Sequence, residues 1–459
     1  MRLLLLSAGA ASMYCGSCLR DNALASALIR RGHDVTLLPF YTPTLTDEEN
    51  VSRRERVFFG GISVYLEQHL GLFRHTPALL DKLWDAPWVI KALSGGSIAV
   101  DPKFLGAMAV STLKGAEGRQ AKEIDKLLAW LADEPRPDVV NIPYALLISL
   151  ARPIKRALGG VPIVMTLQGE DLFLEGLPEP FRGEALALVR RQVADVDLFV
   201  AVSEYYAGFM QDYLEIPAEK MRVAPLGISI PADLAPAPLR RDPFTIGYFA
   251  RVAPEKGLHV LAEAYTIMRR QLGLPPSRLR AAGFRGADQR SYFDSIVRKL
   301  ESAGLGREFE YKGAPDRAGK FAYLQKLDVF CVPSPYHEPK GLYLLEAMAA
   351  GVPVVAPAHG AFPELITATD AGFVTAPGRG DAADFAHALM SVWRHPHEAA
   401  HHGRSGFANV RERFTLEHMA ECVEAVYGEA AGQAVSGQCH TPYPKFGVKV
   451  AASTPERRA

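Results

Sequence analysis

The sequence carries no net charge: its 459 residues hold 51 Lys plus Arg against 51 Asp plus Glu. Proteins that coat nucleic acid leave a basic excess, so bulk nucleic-acid binding is excluded as the main activity. Cysteine is scarce. Five residues (Cys15, Cys18, Cys331, Cys422 and Cys439), an odd number in so long a chain, make no disulfide framework and fit a reducing cytosol. No apolar run approaches the roughly 20 residues that span a bilayer. The opening MRLLLLSAGAA has one positive charge and small residues, as signal peptides do, but its apolar block is short and is needed as a first strand. A cytoplasmic location is therefore expected. Neither half opens with G-x-G-x-x-G, which sets a dinucleotide-dependent oxidoreductase aside. Cys15-Gly16-Ser17-Cys18 is a C-x-x-C at a helix start, without the further ligands of a zinc site. A regulatory disulfide there stays open.

What the sequence does have is length and rhythm. At 459 residues and 48% apolar content, two domains are expected. Arg2 to Ser7 reads as a strand buried on both faces, Leu19 to Arg31 as a helix closed by Gly32, and Val35 to Leu38 as a second strand. The pattern recurs with a strand from Asp138 to Ile142, a helix from Ala145 to Leu158, and strands from Val161 to Leu167 and Leu198 to Val202. Ser203 is positioned to cap the next helix. Between Asp47 and Pro135 a long aromatic-rich insertion blurs it. IPADLAPAPLRRDP, at 230–243, has no period and marks a linker. Beyond it come strands from Phe244 to Phe249, Arg278 to Ala282, Phe309 to Tyr311 and Val329 to Val332. Helices are expected over Gly257–Gln271 and Ser291–Gly304, with a final helix from Leu416 to Tyr427. Alternation of this kind predicts an α/β protein of two doubly wound parallel-sheet domains facing a cleft, with ligands at the carboxyl ends of the strands. The divisions are an N-terminal acceptor-side domain (1–230), a linker (231–243) and a donor-binding domain (244–410). A helix at 411–428 packs back on the first domain, and 429–459 form a flexible tail.

The richest stretch is Ser334-Pro335-Tyr336-His337-Glu338-Pro339-Lys340-Gly341-Leu342-Tyr343-Leu344-Leu345-Glu346-Ala347-Met348-Ala349-Ala350-Gly351-Val352-Pro353-Val354-Val355. It leaves a buried strand, turns through Pro and Gly, and opens a helix near Gly341, whose free amides suit a phosphate. Glu338 and Glu346 can both face the cleft, where carboxylates accept bonds from sugar hydroxyls. This stretch resembles the E-x7-E motif of retaining glycosyltransferases, particularly glycosyltransferase family 4, which has the GT-B fold. The resemblance implies that Glu338 contacts the donor sugar and Glu346 the nucleotide ribose. The Gly341, Leu342 and Tyr343 amides would hold donor hydroxyls and phosphate. Arg251 and Lys256, in the loop of Gly247-Tyr248-Phe249-Ala250-Arg251-Val252-Ala253-Pro254-Glu255-Lys256-Gly257, fall where the family neutralises the donor diphosphate. Fixed cations there stabilise a leaving group that gains charge in the transition state.

The first domain offers less. Gly16 stands where the family keeps a glycine beside the donor phosphate, though the family's glycine pair is absent. Gln168 stands where many relatives have a donor-contacting His, and it cannot titrate. Glu170 and Asp171 are candidates for acceptor binding or proton removal, or equally for a helix cap. Asp195-Val196-Asp197 mimics a metal-binding D-x-D but only joins a helix to a strand. The segments around Phe58–Leu66 and Leu72–Pro77 are similar to the N-terminal region of starch and glycogen synthases. Trp84 and Trp88 mark either local packing or a weak contact with a lipid acceptor or bilayer surface. By this resemblance the chain is a metal-independent, retaining transferase with a nucleoside-diphosphate sugar as substrate, an unidentified acceptor and no cofactor. The alternative is a non-catalytic nucleotide-sugar-binding protein that has kept the fold.

Overall fold

The computed structural model describes residues 1–8, 16–42, 46, 48–53, 102–239, 242–375, 381–433, 439 and 441–443. Two six-stranded sheets organise them, and every strand pair is parallel. The first sheet runs β2-β1-β3-β4-β5-β6, with β1 Arg2–Ser7, β2 Asp34–Pro39, β3 Val139–Ile142, β4 Ile163–Leu167, β5 Leu198–Ala201 and β6 Met221–Val223. The second runs β12-β11-β10-β7-β8-β9, with β7 Thr245–Phe249, β8 Arg278–Ala282, β9 Phe309–Tyr311, β10 Val329–Cys331, β11 Val354–Ala356 and β12 Gly372–Val374. The two-domain α/β reading therefore holds.

Strand periodicity decides which helices meet which face. Leu3 and Leu5 of β1 pack into one buried cluster with Leu24, Ala27 and Leu28 of α1 (Gly16–Arg30), while Leu4 and Leu6 join the core on the other face. That first cluster is completed from the far end of the chain. Met419, Cys422, Val423 and Tyr427 of the last helix, Leu416–Ala430, are buried against β1 and α1. Each such side chain contributes about 1.5–3 kcal/mol when fully buried, so the C-terminal helix is part of the first domain's core. α2 (Pro102–Leu113), α3 (Ala121–Asp133), α4 (Ala151–Ala157), α5 (Asp171–Glu175), α6 (Phe181–Gln192) and α7 (Glu204–Leu214) complete that half. The second half adds α8 (Leu258–Arg270), α9 (Arg290–Ser302), α10 (Arg317–Leu324), α11 (Leu342–Ala349), α12 (Phe362–Thr369), α13 (Ala382–Arg394) and α14 (Pro396–Arg413), followed by α15, the last helix.

Several elements differ from the sequence expectation. The stretch 145–158 is a 3₁₀ segment, Ala145–Leu150, followed by α4 rather than one helix. Pro153 has no N–H to donate and is tolerated only in a first turn, so an α-helix must start near Ala151. The tail is not free throughout. The last helix continues to Ala430, Cys439 is disulfide-bonded to Cys422, and Tyr443 is buried with its hydroxyl donating to the Val202 carbonyl. Cys15, the Phe58–Leu66 and Leu72–Pro77 segments, Trp84 and Trp88 lie outside the described residues; Cys18 is buried in α1. Among the described residues no helix is long and apolar enough to cross a membrane.

Candidate active site

The site forms where two helix N-termini meet. α11 begins at Gly341, whose φ of +75° is open to glycine, and a Cβ there would lie 2.7 Å from Leu365 Cδ1. α1 begins at Gly16, and a Cβ on Gly16 would touch Leu342 Cδ1 at 3.5 Å. The partial positive ends of both helices therefore converge on one place. The Lys340 ammonium crosses the cleft to the Ser17 hydroxyl at 2.6 Å.

The cations arrive from the β7–α8 loop. Its 3₁₀ turn, Pro254–Lys256, ends in Gly257 at φ +73°, where a Cβ would fall 1.8 Å from the Pro333 carbonyl. That close approach presses the turn onto the β10–α11 loop, and the Lys256 ammonium donates to Glu338 Oε1. The two side chains are 18% and 6% exposed, and Lys256 also lies 5.5 Å above the Tyr343 ring. Arg251 is half exposed and held by Glu255 at 2.5 Å. Glu346, a turn into α11, accepts from Lys320 of α10 at 2.6 Å. Thus Gly16, Lys256, Glu338, Gly341, Leu342 and Tyr343 come together, Arg251 stands on the same loop as Lys256, and Glu346 lies farther along α11. Burial beside Glu338 pushes the Tyr343 hydroxyl well above its ordinary range, so it stays a neutral phenol.

Across the cleft, Gln168 is buried at the end of β4. Its amide nitrogen donates to Asp21 Oδ1 at 3.2 Å and to the Pro143 carbonyl at 3.1 Å; its Oε1 has no partner among the described residues. Asp21 is buried beside Arg20 at 3.2 Å, and desolvation outweighs that cation, pushing its carboxyl up to about 6. Glu170 braces the backbone instead of facing open space, accepting from the amides of Ala145 (3.0 Å), Gln168 (2.8 Å) and Gly169 (3.0 Å). Asp171 accepts from the Tyr206 hydroxyl at 2.7 Å and, from the second domain, the Tyr336 hydroxyl at 3.0 Å; burial raises its pKa. Asp195 pairs with Arg152, and Asp197 pairs with Lys155 and accepts from the Ile163 amide, so the D-x-D is structural. Among the described residues no group of three His, Cys, Asp or Glu is placed to hold a metal ion.

Sequence reasoning missed Asp21, Tyr336, Lys340 and Glu364. Glu364 at the start of α12 accepts from the Tyr205 amide at 3.2 Å, at the N-terminus of α7 in the first domain, and burial raises it to about 8. Tyr336 and Lys340 were within the motif stretch; nothing local marked Asp21 or Glu364. A separate cavity of about 700 Å³ opens at the domain junction, lined by Arg30, Glu48, Arg317, Arg411 and Glu417 among others. Its guanidinium groups are bonded already, Arg30 to Glu417, Arg317 to Glu48, and Arg411 to the Leu234 carbonyl. It lies apart from the site.

The chain is similar to known proteins in both halves. Residues 22–227 match a family described as "Glycosyl transferase 4-like domain", and residues 230–407 one described as "Glycosyl transferases group 1". The chain is 30% identical over 191 residues to the lipopolysaccharide core biosynthesis mannosyltransferase LpcC of Rhizobium leguminosarum bv. viciae, covering 41% of this chain and 51% of that protein. It is 29% identical over 278 residues to the D-inositol 3-phosphate glycosyltransferase of Stackebrandtia nassauensis, covering 56% and 59%. The chain thus spans about half the length of the curated relatives it matches. Among solved structures it resembles sucrose-phosphate synthase from Thermosynechococcus elongatus (TM-score 0.66, 18% identity, 93% of this chain and 98% of that one). It also resembles Anabaena HepE in complex with UDP (TM-score 0.63, 19% identity, 94% and 100%). At these identities the structural likeness speaks for the fold.

Proposed function

We propose that this chain, which belongs to the glycosyltransferases of the GT-B fold, moves a sugar from a nucleoside diphosphate to a hydroxyl acceptor, with retention at the anomeric carbon and without a metal ion. The observation that carries this is the convergence of Lys256, Glu338 and the α11 N-terminus on the N-terminus of α1. A diphosphate bound there receives backbone amides from two helices and a cation from the β7–α8 loop. Arg251 exchanges Glu255 for the same phosphates. Glu338, released from Lys256 as the ammonium turns to phosphate, accepts hydroxyls of the transferred sugar, and Glu346 accepts those of the ribose.

In the transfer, the acceptor oxygen bonds the anomeric carbon while the bond from that carbon to the diphosphate oxygen breaks. The electron pair leaves with the diphosphate, and the acceptor proton passes to the departing phosphate. Lys256, Arg251 and the helix amides bind that growing charge more tightly than the ground state, which lowers the barrier. UDP, the nucleotide in the HepE complex, is the first one to try.

Thermal-shift screening with UDP-, GDP-, ADP- and dTDP-sugars tests the proposal. A ligand at 100 times its Kd adds about 2.7 kcal/mol, a clear rise in Tm. Glu346→Ala should abolish most of that rise. A panel that leaves the wild-type Tm unmoved would refute the donor assignment, and bound donor that never turns over would mark a binding protein.

A further inference from the structure

Two of the four exposed large hydrophobic side chains among the described residues are neighbours, Leu172 (42%) and Phe173 (36%). Both stand on α5, the short helix that leaves the cleft just after Gln168. α5 lies along α7, because the Tyr206 hydroxyl donates to Asp171 near one end and the Tyr213 hydroxyl to Glu175 at the other, each at 2.7 Å. α7 presents Tyr205, Phe209 and Tyr213 at i, i+4 and i+8, all partly exposed. Their ring centroids are 6.2 and 5.4 Å apart, with planes within 15°. The row continues into the second domain. Tyr205 lies 6.4 Å from the exposed ring of His337, which stacks on His359 at 4.4 Å. His337 immediately precedes Glu338, so the line of rings ends at the donor loop.

Charge narrows what can lie on this surface. α5 and α7 carry Asp171, Glu175, Glu204 and Asp212 and no Lys or Arg. Nearby Arg182 is taken by Glu175 and Glu179, and Arg190 by Glu215. Partial desolvation lowers the pKa of both imidazoles, His359 to about 4, so they add no cation at neutral pH. An anionic bilayer is drawn to clustered Lys and Arg, and this rim offers it carboxylates. A neutral sugar chain suits it better: the apolar faces of the rings pack on aromatic side chains, while carboxylates accept their hydroxyls.

We propose that this aromatic rim is the acceptor subsite and takes an uncharged glycan of more than one sugar, laid along α7 with its terminal hydroxyl at the Glu338 loop. The inference rests on the transferase reading above and names its acceptor class.

The test titrates the full chain with malto-, cello-, xylo-, manno- and chito-oligosaccharides, from disaccharide to tetrasaccharide, by saturation-transfer NMR. Vesicles of phosphatidylcholine with and without phosphatidylglycerol run in parallel. At least one series should bind, more tightly with length. Phe173→Ser, at an exposed position, and Phe209→Ala should each weaken it by about tenfold, with UDP affinity and circular dichroism unchanged in Phe173→Ser. The proposal falls if no series binds, if both variants bind as the wild type does, or if Phe173→Ser abolishes vesicle binding instead. Wild-type protein that binds oligosaccharide but no nucleoside diphosphate would remove the transferase reading while leaving the glycan site standing.

Discussion

Replacing Lys256 with methionine keeps the apolar stem and removes the charge. It strands Glu338, 6% exposed, against Tyr343 and the start of α11. Breaking a buried ion pair from one side costs about 3–5 kcal/mol, because the remaining charge has lost its partner and water cannot reach it. Two features favour the lower end. Lys256 is itself 18% exposed, so the pair is not fully desolvated, and the α11 amides offer the carboxylate a partial positive charge. A loss of about 3 kcal/mol lowers the midpoint of a domain this size by roughly 6–12 °C. Glu338→Gln in the same background removes the stranded charge and should restore most of the loss. The assay is a double-mutant cycle of wild type, K256M, E338Q and the pair, each unfolded in urea and followed through the C-terminal domain's transition. Additive losses would mean that the two side chains do not meet in solution. Turnover carries the second readout: with one fixed cation gone, kcat should fall about 10²–10³-fold while donor affinity falls less. A variant that loses affinity and keeps kcat would show that Lys256 only holds substrate.

Two further outcomes follow from the same geometry. Glu364 is raised from 4.5 to about 8 by burial, so the folded protein holds a proton that the unfolded chain releases in between; stability should fall as pH rises from about 4.5 to 8, and Glu364→Gln should flatten that slope in pH-dependent denaturation. A variant with the wild-type slope would clear Glu364 of the effect. If Lys256, Arg251 and the helix N-termini neutralise the diphosphate as proposed, added EDTA should leave transfer unchanged. Loss of activity restored by Mg²⁺ or Mn²⁺ would overturn that mechanism.

The fold was legible because strand, loop and helix alternate along most of the chain. Arg2–Ser7, Arg278–Ala282 and Phe309–Tyr311 were read with their observed bounds, and Ser203 caps α7 as its position suggested, accepting from the Tyr206 amide at 3.2 Å. Local rules failed where a residue cancels a period or where an element merges with its neighbour in sequence. Pro153 splits a stretch whose apolar spacing is otherwise helical. β11 and β12 were not read as strands; β11, Val354–Ala356, begins inside the apolar end of the motif stretch and was absorbed into it. Cys439 and Tyr443 are fixed by contacts with Cys422 and Val202, and composition alone assigned that region to a flexible tail.

The site divides along the same line. Glu338, Gly341 and Glu346 lie within one loop and helix, and Lys256 is announced by its Lys-Gly turn, so each has a local signature. Their counterparts across the cleft have none. Asp171 with Tyr336, Ser17 with Lys340, and Tyr205 with Glu364 are separated by 165, 323 and 159 residues. Only the packing of one domain on the other makes them pairs. Gln168 shows what that costs a sequence reading. Taken alone it is an amide, which cannot titrate. In the fold it rests on Asp21, 147 residues away, whose buried carboxyl is held near 6 and lies 3.2 Å from the Gln168 amide nitrogen. A carboxyl whose pKa burial raises therefore lies beside Gln168 at this point of the cleft. It is supplied by α1, and the strand that carries Gln168 gives no sign of it.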